Sequence, residues 1–247
     1  MKHILILSLL LLPFLLSAQP FDTLRHAAPG GREWMQVKGN NTILAEGYFQ
    51  NGKEEGVWNS YWDTGFPKDM TSYHSGKKNG ISMYIGRDGY VERMETYQDD
   101  ALHGPKRIFN RGQRMDEEIY FAQGIQDGPY RKWYGNGKLQ EESAYKQGRR
   151  DGETTWYFET GQKAAVYPYK DGELNGQAVS YYANGKKSEE GSYAAGQQTG
   201  LWREYDENGQ LKAEGYYVNG LKEGRWTEYE ADSNKTKTIT YLKGKIK

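Results

Sequence analysis

The feature of this sequence that most constrains its fold is a glycine that returns every 24 residues along the chain. Asp100 replaces this glycine once, and a second glycine follows four residues later in each unit. Such a 24-residue period is typical of repeat architectures, in which each unit packs mainly against its neighbours. The first series contains Gly52, Gly76, Gly124, Gly148, Gly172, Gly196, Gly220 and Gly244, and the second contains Gly56, Gly80, Gly104, Gly128, Gly152, Gly176, Gly200 and Gly224.

One unit, residues 196–219, shows what each repeat encodes. Residues 201–205 and 210–217 have the alternating pattern of two short strands. Asn208-Gly209 between them is a strong hairpin signal, because both residues tolerate a positive φ. Each unit therefore predicts two strands and two turns, and no helical period is present in the repeat region.

Aromatic residues recur at two positions of the 24-residue period. These positions lie twelve residues apart, one on each strand of the hairpin, so we expect both series to stack along one face of a sheet. The first series is Phe49, Tyr73, Tyr97, Phe121, Tyr145, Tyr169, Tyr193, Tyr217 and Tyr241, and the second is Tyr61, Ile85, Phe109, Trp133, Tyr157, Tyr181, Tyr205 and Tyr229.

These patterns predict an all-β fold, an elongated antiparallel β-meander or solenoid of about eight hairpin repeats in a single twisted sheet. Eight repeats cover residues 52–243, after a degenerate first repeat at 33–51 and before a truncated end at 244–247. Only 36% of the residues are hydrophobic. That fraction suits a thin repeat array better than a thick globular core.

The turns carry two further signals. In the third unit, Gly112 comes one residue earlier than its equivalents, and Asp100 stands in place of a glycine. A polar residue precedes the second glycine of every unit, and we expect its side chain to bond a nearby backbone N–H and close the turn. Calcium needs six or more oxygen ligands, so single side chains about 10 Å apart favour turn closure over a metal site. The polar series is Glu55, Asn79, His103, Asp127, Asp151, Asn175, Thr199 and Glu223.

The N-terminus is not part of the repeats. Lys2 and His3 precede an apolar run from Ile4 to Leu16, and Ser17-Ala18 supplies small residues. This layout predicts a signal peptide over residues 1–18, followed by a flexible segment over residues 19–32. We therefore expect an exported bacterial protein in the periplasm, outside the cell or on its surface, with no transmembrane segment in the mature chain.

Charge and cysteine content exclude several classes of partner and site. Lys and Arg number 33, as do Asp and Glu, so no basic excess exists to bind nucleic acid. The absence of cysteine rules out disulfides, thiolate metal sites and a cysteine nucleophile. We expect a monomer that binds a protein or another component of the cell envelope.

No arrangement of residues predicts catalysis, a cofactor or a metal. The four histidines lie at unrelated places, and the glycines are explained by turns. The candidate ligand-contact face consists of Trp58, Tyr130, Trp202 and Trp226. They stand three residues before the second aromatic series, which on a strand predicts the opposite face. Exposed rings there could bind a sugar or a peptide, while the alternative is that they shield that face.

The units resemble the MORN repeat, and more closely its bacterial variant. The resemblance rests on Gly200-Leu201-Trp202-Arg203-Glu204-Tyr205, on Asn208-Gly209 and on Tyr217-Val218-Asn219-Gly220, and it extends over roughly residues 33–247. It implies an antiparallel β-meander used for protein or membrane attachment, without a shared catalytic activity. Bacterial proteins with this variant are frequently labelled antitoxins. The tryptophan position departs from the pattern at Ser82, Lys106, Tyr130, Thr154 and Ala178.

Taken together, these features predict an exported, non-catalytic scaffold that binds protein or envelope material along one sheet face. Two alternatives stay open: an antitoxin or immunity-type inhibitor of a toxin, and a carbohydrate-binding protein that uses exposed tryptophans.

Overall fold

The structure is a computed structural model that describes residues 21–230 and 236–247. The described residues form one open antiparallel sheet of 23 strands, in which each strand pairs with strands next to it in the chain. They include no helix, and hence no helical segment long and apolar enough to cross a membrane. The predicted all-β hairpin meander is confirmed.

The strands follow the 24-residue period, two arms to each repeat. Three arms are split at the residue before the second glycine, which produces the short strands β8, β13 and β16. The strands are β1 Asp22–Ala28, β2 Arg32–Gly39, β3 Thr42–Gln50, β4 Lys53–Tyr61, β5 Pro67–His74, β6 Lys77–Ile85, β7 Val91–Gln98, β8 Ala101–Leu102, β9 Gly104–Phe109, β10 Met115–Ala122, β11 Ile125–Trp133, β12 Leu139–Lys146, β13 Arg149–Arg150, β14 Gly152–Tyr157, β15 Lys163–Lys170, β16 Glu173–Leu174, β17 Gly176–Tyr181, β18 Lys187–Ala194, β19 Gln197–Tyr205, β20 Leu211–Val218, β21 Leu221–Tyr229, β22 Thr236–Leu242 and β23 Lys245–Ile246.

The first glycine series forms the tight turns of the sheet. At Asn219-Gly220 both residues have positive φ, 50° and 75°, which is the signature of a two-residue type I′ turn. Asp100 adopts the same conformation, with φ of 70°. The turn therefore survives the loss of its glycine in the third unit.

The predicted Asn-Gly hairpins are present, and each contains a glycine bulge. Tyr134 N–H donates to the carbonyl of Lys138 and Gly137 N–H to that of Tyr134, both at 2.8 Å. Gly137 has φ of 84°, whereas Asn136 is not among the residues with positive φ. This is a three-residue loop, a type I turn followed by a glycine bulge. The predicted hairpin is therefore present, and only the glycine of the Asn-Gly pair uses a positive φ.

The early glycine of the third unit leaves a residue with a side chain in the glycine position of this loop. Gln113 takes the left-handed conformation, with φ of 60°, while Gly112 does not. Gln113→Gly is expected to stabilise the protein by about 1 kcal/mol, because a residue with a Cβ is strained in this region. Urea unfolding followed by circular dichroism measures the change. Gly137→Gln should cost a similar amount, and no difference between Gln113→Gly and wild type would contradict the strain.

Two faces of the sheet can be assigned from the strand register. Residues directly opposite each other in an antiparallel pair point to the same face, and Trp202 lies opposite Gly215. Tyr217, two residues beyond Gly215, shares that side, and its ring contacts Trp202. We call this side, with the Tyr217 series and Trp58, Trp202 and Trp226, the tryptophan face.

The other side carries Arg203, which pairs with Glu214 and Glu190, and Tyr205, whose hydroxyl donates to Glu190. We call it the methionine face, after Met70, Met83 and Met94, which lie on it in neighbouring strands. The prediction that both aromatic series stack along one face is therefore wrong. Before the bulge, the facing pairs of this hairpin, such as Trp202 with Gly215, are an odd number of positions apart, so an even spacing of twelve places Tyr205 and Tyr217 on opposite faces.

Consecutive repeats are bonded turn to turn. Gly220 N–H donates to the carbonyl of Gln198 at 3.0 Å, and the turns from Gly76 to Gly244 each make the equivalent bond. The polar residues before the second glycine take part, but not as predicted. The Asp127 carboxylate accepts from Gln147 N–H at 3.1 Å, in the next repeat. Four of the eight series members, Glu55, Asp127, Asp151 and Glu223, bond a backbone N–H group in this way, and they close the neighbouring turn and not their own.

The N-terminal part of the described chain is more regular than predicted. Strand β1 lies inside the segment 19–32 for which we expected flexibility, and it pairs with β2 after a turn at Gly30-Gly31. Two glycines with positive φ supply the same two-residue turn that later repeats use. The degenerate first repeat is the hairpin of β2 and β3. The predicted signal peptide, residues 1–18, lies outside the described residues.

Candidate functional site

The tryptophans form a packed ladder on their face of the sheet. Trp202 and Trp226 are each 2% exposed. Their rings alternate with tyrosines in edge-to-face contacts, with centroids 5.2 Å apart for Tyr193–Trp202, 5.8 Å for Trp202–Tyr217 and 5.2 Å for Tyr217–Trp226. Such contacts stabilise a sheet that has no second layer.

Each indole N–H is also used within the fold. Trp58, Trp202 and Trp226 donate to the carbonyls of Tyr48, Ser192 and Tyr216 at 2.9, 3.2 and 3.1 Å. The acceptor in each case lies ten residues earlier, on the preceding strand. With ring and N–H both engaged, the indoles are part of the scaffold.

A glycine under each tryptophan makes this packing possible, and our reading of the sequence missed it. A Cβ added to Gly47, Gly191 or Gly215 would lie 2.4, 2.2 or 2.3 Å from the nearest indole atom. Real Cβ atoms do not approach so closely, so only glycine fits. The signal was present in the sequence as a glycine eleven residues before each of these tryptophans.

The middle repeats replace the glycine–tryptophan pair with other pairs that also fit together. Thr71 and Ser82 bond through their hydroxyls at 2.9 Å, and Glu95 pairs with Lys106 at 3.0 Å. In one unit the large and small members exchange places, since Ala178 stands at the tryptophan position and Tyr167 at the glycine position. In these three units, the loss of the tryptophan is accompanied by a matching change at the glycine position.

The candidate ligand-contact residues Trp58, Tyr130, Trp202 and Trp226 lie on one face, opposite the second aromatic series as predicted. They also share that face with the first aromatic series, which was not predicted, and Trp202 and Trp226 are buried. Trp58 and Tyr130 are half-buried. Burial and the Glu117 and Glu141 carboxylates raise the pKa of the Tyr130 hydroxyl. The alternative, that these rings shield the sheet, describes the packing of the two buried tryptophans.

Several tyrosines are held in their neutral form, which predicts alkaline unfolding. Burial raises the pKa of Tyr193 to about 12, and burial with a hydrogen bond to Glu190 raises the pKa of Tyr205 to about 12. A raised folded-state pKa stabilises the fold fully below about pH 10 and no longer once the pH passes about 12. We expect cooperative loss of the circular dichroism signal between these values, together with tyrosinate absorbance at 295 nm. Ionisation of all tyrosines near pH 10 with the fold intact would contradict this.

The methionine face contains most of the exposed apolar side chains. Met70 pairs with Met83 and Met83 with Met94, in the middle of strands β5, β6 and β7. Val57 and Ile81 lie beside them and are 47% and 51% exposed. Among the exposed large hydrophobic residues in the described strands, only Ile246 lies on the tryptophan face. Those on the methionine face are Leu24, Val57, Met70, Ile81, Ile125, Tyr216, Val218, Leu221 and Leu242.

Beyond the methionines, the same face carries a ladder of alternating charges. Glu118 lies between Arg107 and Arg131, at 2.9 and 3.4 Å, and Arg131 also pairs with Glu142 at 2.9 Å. The ladder is satisfied internally, because each guanidinium has a carboxylate on the neighbouring strand.

A second set of rungs follows near the C-terminal end. Arg203 pairs with Glu214 at 3.2 Å, and Lys187 and Tyr205 both donate to Glu190. These two bonds hold the pKa of Glu190 below its usual range. Each charge is again neutralised within the sheet.

An open groove of about 430 Å³ lies between the hairpin end of the irregular third repeat and that of the repeat before it. Arg111 pairs with Asp88 at 3.4 Å and Lys106 with Glu95 at 3.0 Å, so these charges neutralise each other. Within residues 21–230 and 236–247, no three histidine, aspartate or glutamate side chains converge as a metal site would require.

Comparison with known families supports the repeat assignment. The model of the MORN repeat variant matches four consecutive units, at residues 126–147, 150–171, 174–195 and 198–219. The matched units begin within strands β11, β13, β16 and β19 and end in the following type I′ turns. The chain matches none of the curated proteins at a significant level.

Proposed function

We propose that this chain, in which residues 126–219 are four consecutive MORN repeat variant units, is an exported, non-catalytic scaffold that binds a protein partner through its methionine face. Repeats of this family generally serve as protein-binding or membrane-binding modules. The proposal adds the face, the class of partner and the export.

The observation that carries the proposal is the unequal distribution of exposed apolar side chains. Val57, Met70 and Ile81 lie at diagonal positions on three neighbouring strands and are 40–51% exposed, whereas Trp202 and Trp226 on the other face are covered. Contiguous exposed apolar side chains mark interaction sites, and methionines adapt to the shape of a partner. The methionine face is therefore the surface that a partner would cover.

Carbohydrate binding through the tryptophans receives no such support. Trp202 and Trp226 present no open ring face on which a sugar could stack, because tyrosines pack against both. A protein partner that buries apolar side chains fits the exposed residues better.

Co-purification with matched variants tests the proposed face. Val57→Glu/Ile81→Glu places two charges on the methionine face, and Arg93→Gln changes the tryptophan face of the same repeat. We expect wild type and Arg93→Gln to retain the same partner from envelope extract, and the double variant to lose it while keeping its circular dichroism spectrum. Retention of the same partner by the folded double variant would contradict the proposal.

Export is supported by the pattern of residues 1–18. Fusion of these residues to a reporter that is active only in the periplasm should give signal, and replacing Leu9 and Leu10 by arginine should abolish it. A reporter that stays cytoplasmic would contradict export and favour the inhibitor of a cytoplasmic toxin.

A further inference from the structure

Seven Asn-Gly pairs occur in this chain, and this pair of residues is chemically reactive. The backbone nitrogen that follows an asparagine can attack the side-chain amide, and glycine hinders the attack least because it has no side chain. Whether a pair reacts depends on how the fold holds the amide and the nitrogen. The pairs are Asn51-Gly52, Asn79-Gly80, Asn136-Gly137, Asn175-Gly176, Asn184-Gly185, Asn208-Gly209 and Asn219-Gly220.

Two of the asparagines are held at both ends of the amide group. Asn136 donates through Nδ2 to the carbonyl of Glu159 at 3.2 Å and accepts at Oδ1 from Lys138 N–H at 2.9 Å. Asn184 makes the same two bonds two repeats later, at 2.7 and 3.0 Å. Attack by the glycine nitrogen would require both bonds to break.

In three further pairs the peptide unit of the glycine is held. Gly209 N–H, after Asn208, donates to the carbonyl of Asp206 at 2.9 Å. The glycines after Asn79 and Asn175 lie in strands β6 and β17, which pair with the strands that follow them. A glycine nitrogen in these places cannot turn towards the neighbouring amide without disrupting the backbone bonds of the sheet or loop.

The two remaining pairs, Asn51-Gly52 and Asn219-Gly220, are matched in conformation. Both form two-residue type I′ turns, with φ of 53° and 76° in the first pair and 50° and 75° in the second. Both asparagines are exposed. A difference in their reactivity must therefore come from the surroundings of the two turns.

The two turns differ in the bond that ties a turn to the repeat before it. Gly220 N–H donates to the carbonyl of Gln198 at 3.0 Å, and Gly220 is half-buried. In the part of the chain that the structure describes, Gly52 N–H donates to no backbone carbonyl, and Gly52 is exposed. Gly52 is the first glycine of its series, and the turn before it, at Gly30-Gly31, does not keep the 24-residue spacing. Gly52 therefore keeps its nitrogen free to react.

We propose that Asn51 is a site of spontaneous deamidation in the folded protein and reacts ahead of the other six asparagines. The Gly52 nitrogen attacks Cγ of Asn51 and forms a new C–N bond, while the Cγ–Nδ2 bond breaks. The hydrogen lost from the Gly52 nitrogen leaves with the amide as ammonia. Water then opens the five-membered succinimide at either carbonyl, which gives aspartate or isoaspartate.

Both products change the turn between β3 and β4. Aspartate adds a negative charge beside Lys53, and isoaspartate adds one methylene group to the backbone of a two-residue turn. Gln50 and Lys53 face each other across that turn, so a longer backbone disturbs the pairing of the two strands. This inference goes beyond the proposed function and does not depend on the partner or on the face that binds it.

Peptide mapping of the purified protein by mass spectrometry, during incubation in mildly alkaline buffer, tests the proposal. We expect Asn51 to deamidate about tenfold faster than Asn219, the factor that one hydrogen bond of ordinary strength allows. The product should contain both aspartate and isoaspartate. Equal rates at Asn51 and Asn219, or a faster rate at any other pair, would overturn the proposal. Aspartate alone would overturn attack by the glycine nitrogen.

Two further measurements separate the fold from the local sequence. In denaturing urea all seven pairs should react at similar rates, because glycine follows each asparagine, and a preference for Asn51 that persists there would overturn the structural cause. Hydrogen exchange followed by NMR should be faster at the Gly52 amide than at the Gly220 amide. Equal protection of the two amides would overturn the free nitrogen on which the proposal rests.

Discussion

Gly191→Ala is expected to destabilise the protein by several kcal/mol, an unusually large effect for adding one methyl group. The new Cβ would lie 2.2 Å from the Trp202 indole, which is itself 2% exposed and cannot move into solvent without losing its packing. Overpacking of a filled site typically costs about 1–3 kcal/mol, and the closeness of this contact places the expectation at the upper end. Urea unfolding followed by circular dichroism at 218 nm measures the cost.

Trp202→Ala tests the same contact from the other side. Removing a buried tryptophan costs about 3–5 kcal/mol, because its apolar contacts are lost and a cavity remains. The glycine control is Gly135→Ala, where an added Cβ meets nothing within 4 Å, and it should change stability little.

The double variant Gly191→Tyr/Trp202→Ala copies the native pair Tyr167–Ala178. We expect it to be more stable than the sum of the two single changes predicts, with a coupling of at least about 2 kcal/mol. Additive effects would show that the ring and the glycine do not occupy the same space, and would contradict the compensation between repeats.

Glu118→Ala is expected to cost about 2 kcal/mol, somewhat less than the loss of one partner from a fully buried ion pair. The Glu118 side chain is 11% exposed and lies between Arg107 and Arg131, so its removal leaves two guanidinium groups facing each other. Breaking a fully buried pair costs about 3–5 kcal/mol, and the arginines here recover part of this because both stay more than a third exposed to water. Urea unfolding measures the loss.

Glu142→Ala is the matched control, one repeat later at the same register position. Its side chain is 43% exposed and bonds only Arg131, so the expected cost is below about 1 kcal/mol. Similar costs for the two variants would contradict the role of burial in the ladder.

The repeat pattern predicted the fold well because its signals are local. The first glycine of each 24-residue period forms a turn wherever the chain needs two residues with positive φ, and even Asp100 keeps that turn. Strand alternation and the hairpin signals then leave a sequential antiparallel sheet as the fold.

The assignment of faces failed for a different reason. Whether Tyr205 and Tyr217 share a face depends on the number of residues in the connecting loop, and the Asn-Gly signal does not separate a two-residue turn from a three-residue turn with a bulge. One residue of difference moves every side chain of the second strand to the other face.

Burial of the tryptophans could not be predicted from strand alternation alone. Strand alternation predicts that a single sheet with two open faces exposes its aromatic rings to solvent. Trp202 is covered instead, because Gly191 has no side chain and the indole lies flat against the neighbouring strand. The glycine eleven residues before the tryptophan was the readable signal. The exposed apolar side chains of the methionine face can be recognised as one surface only after the faces are assigned.

Site-specific photo-cross-linking tests most directly which face meets a partner. A photoreactive residue replaces Ile81 on the methionine face or, in a second version, Arg93 on the tryptophan face of the same repeat, and irradiation is carried out in living cells. We expect a defined protein adduct from position 81 and none from position 93. An adduct from position 93 alone would contradict binding through the methionine face.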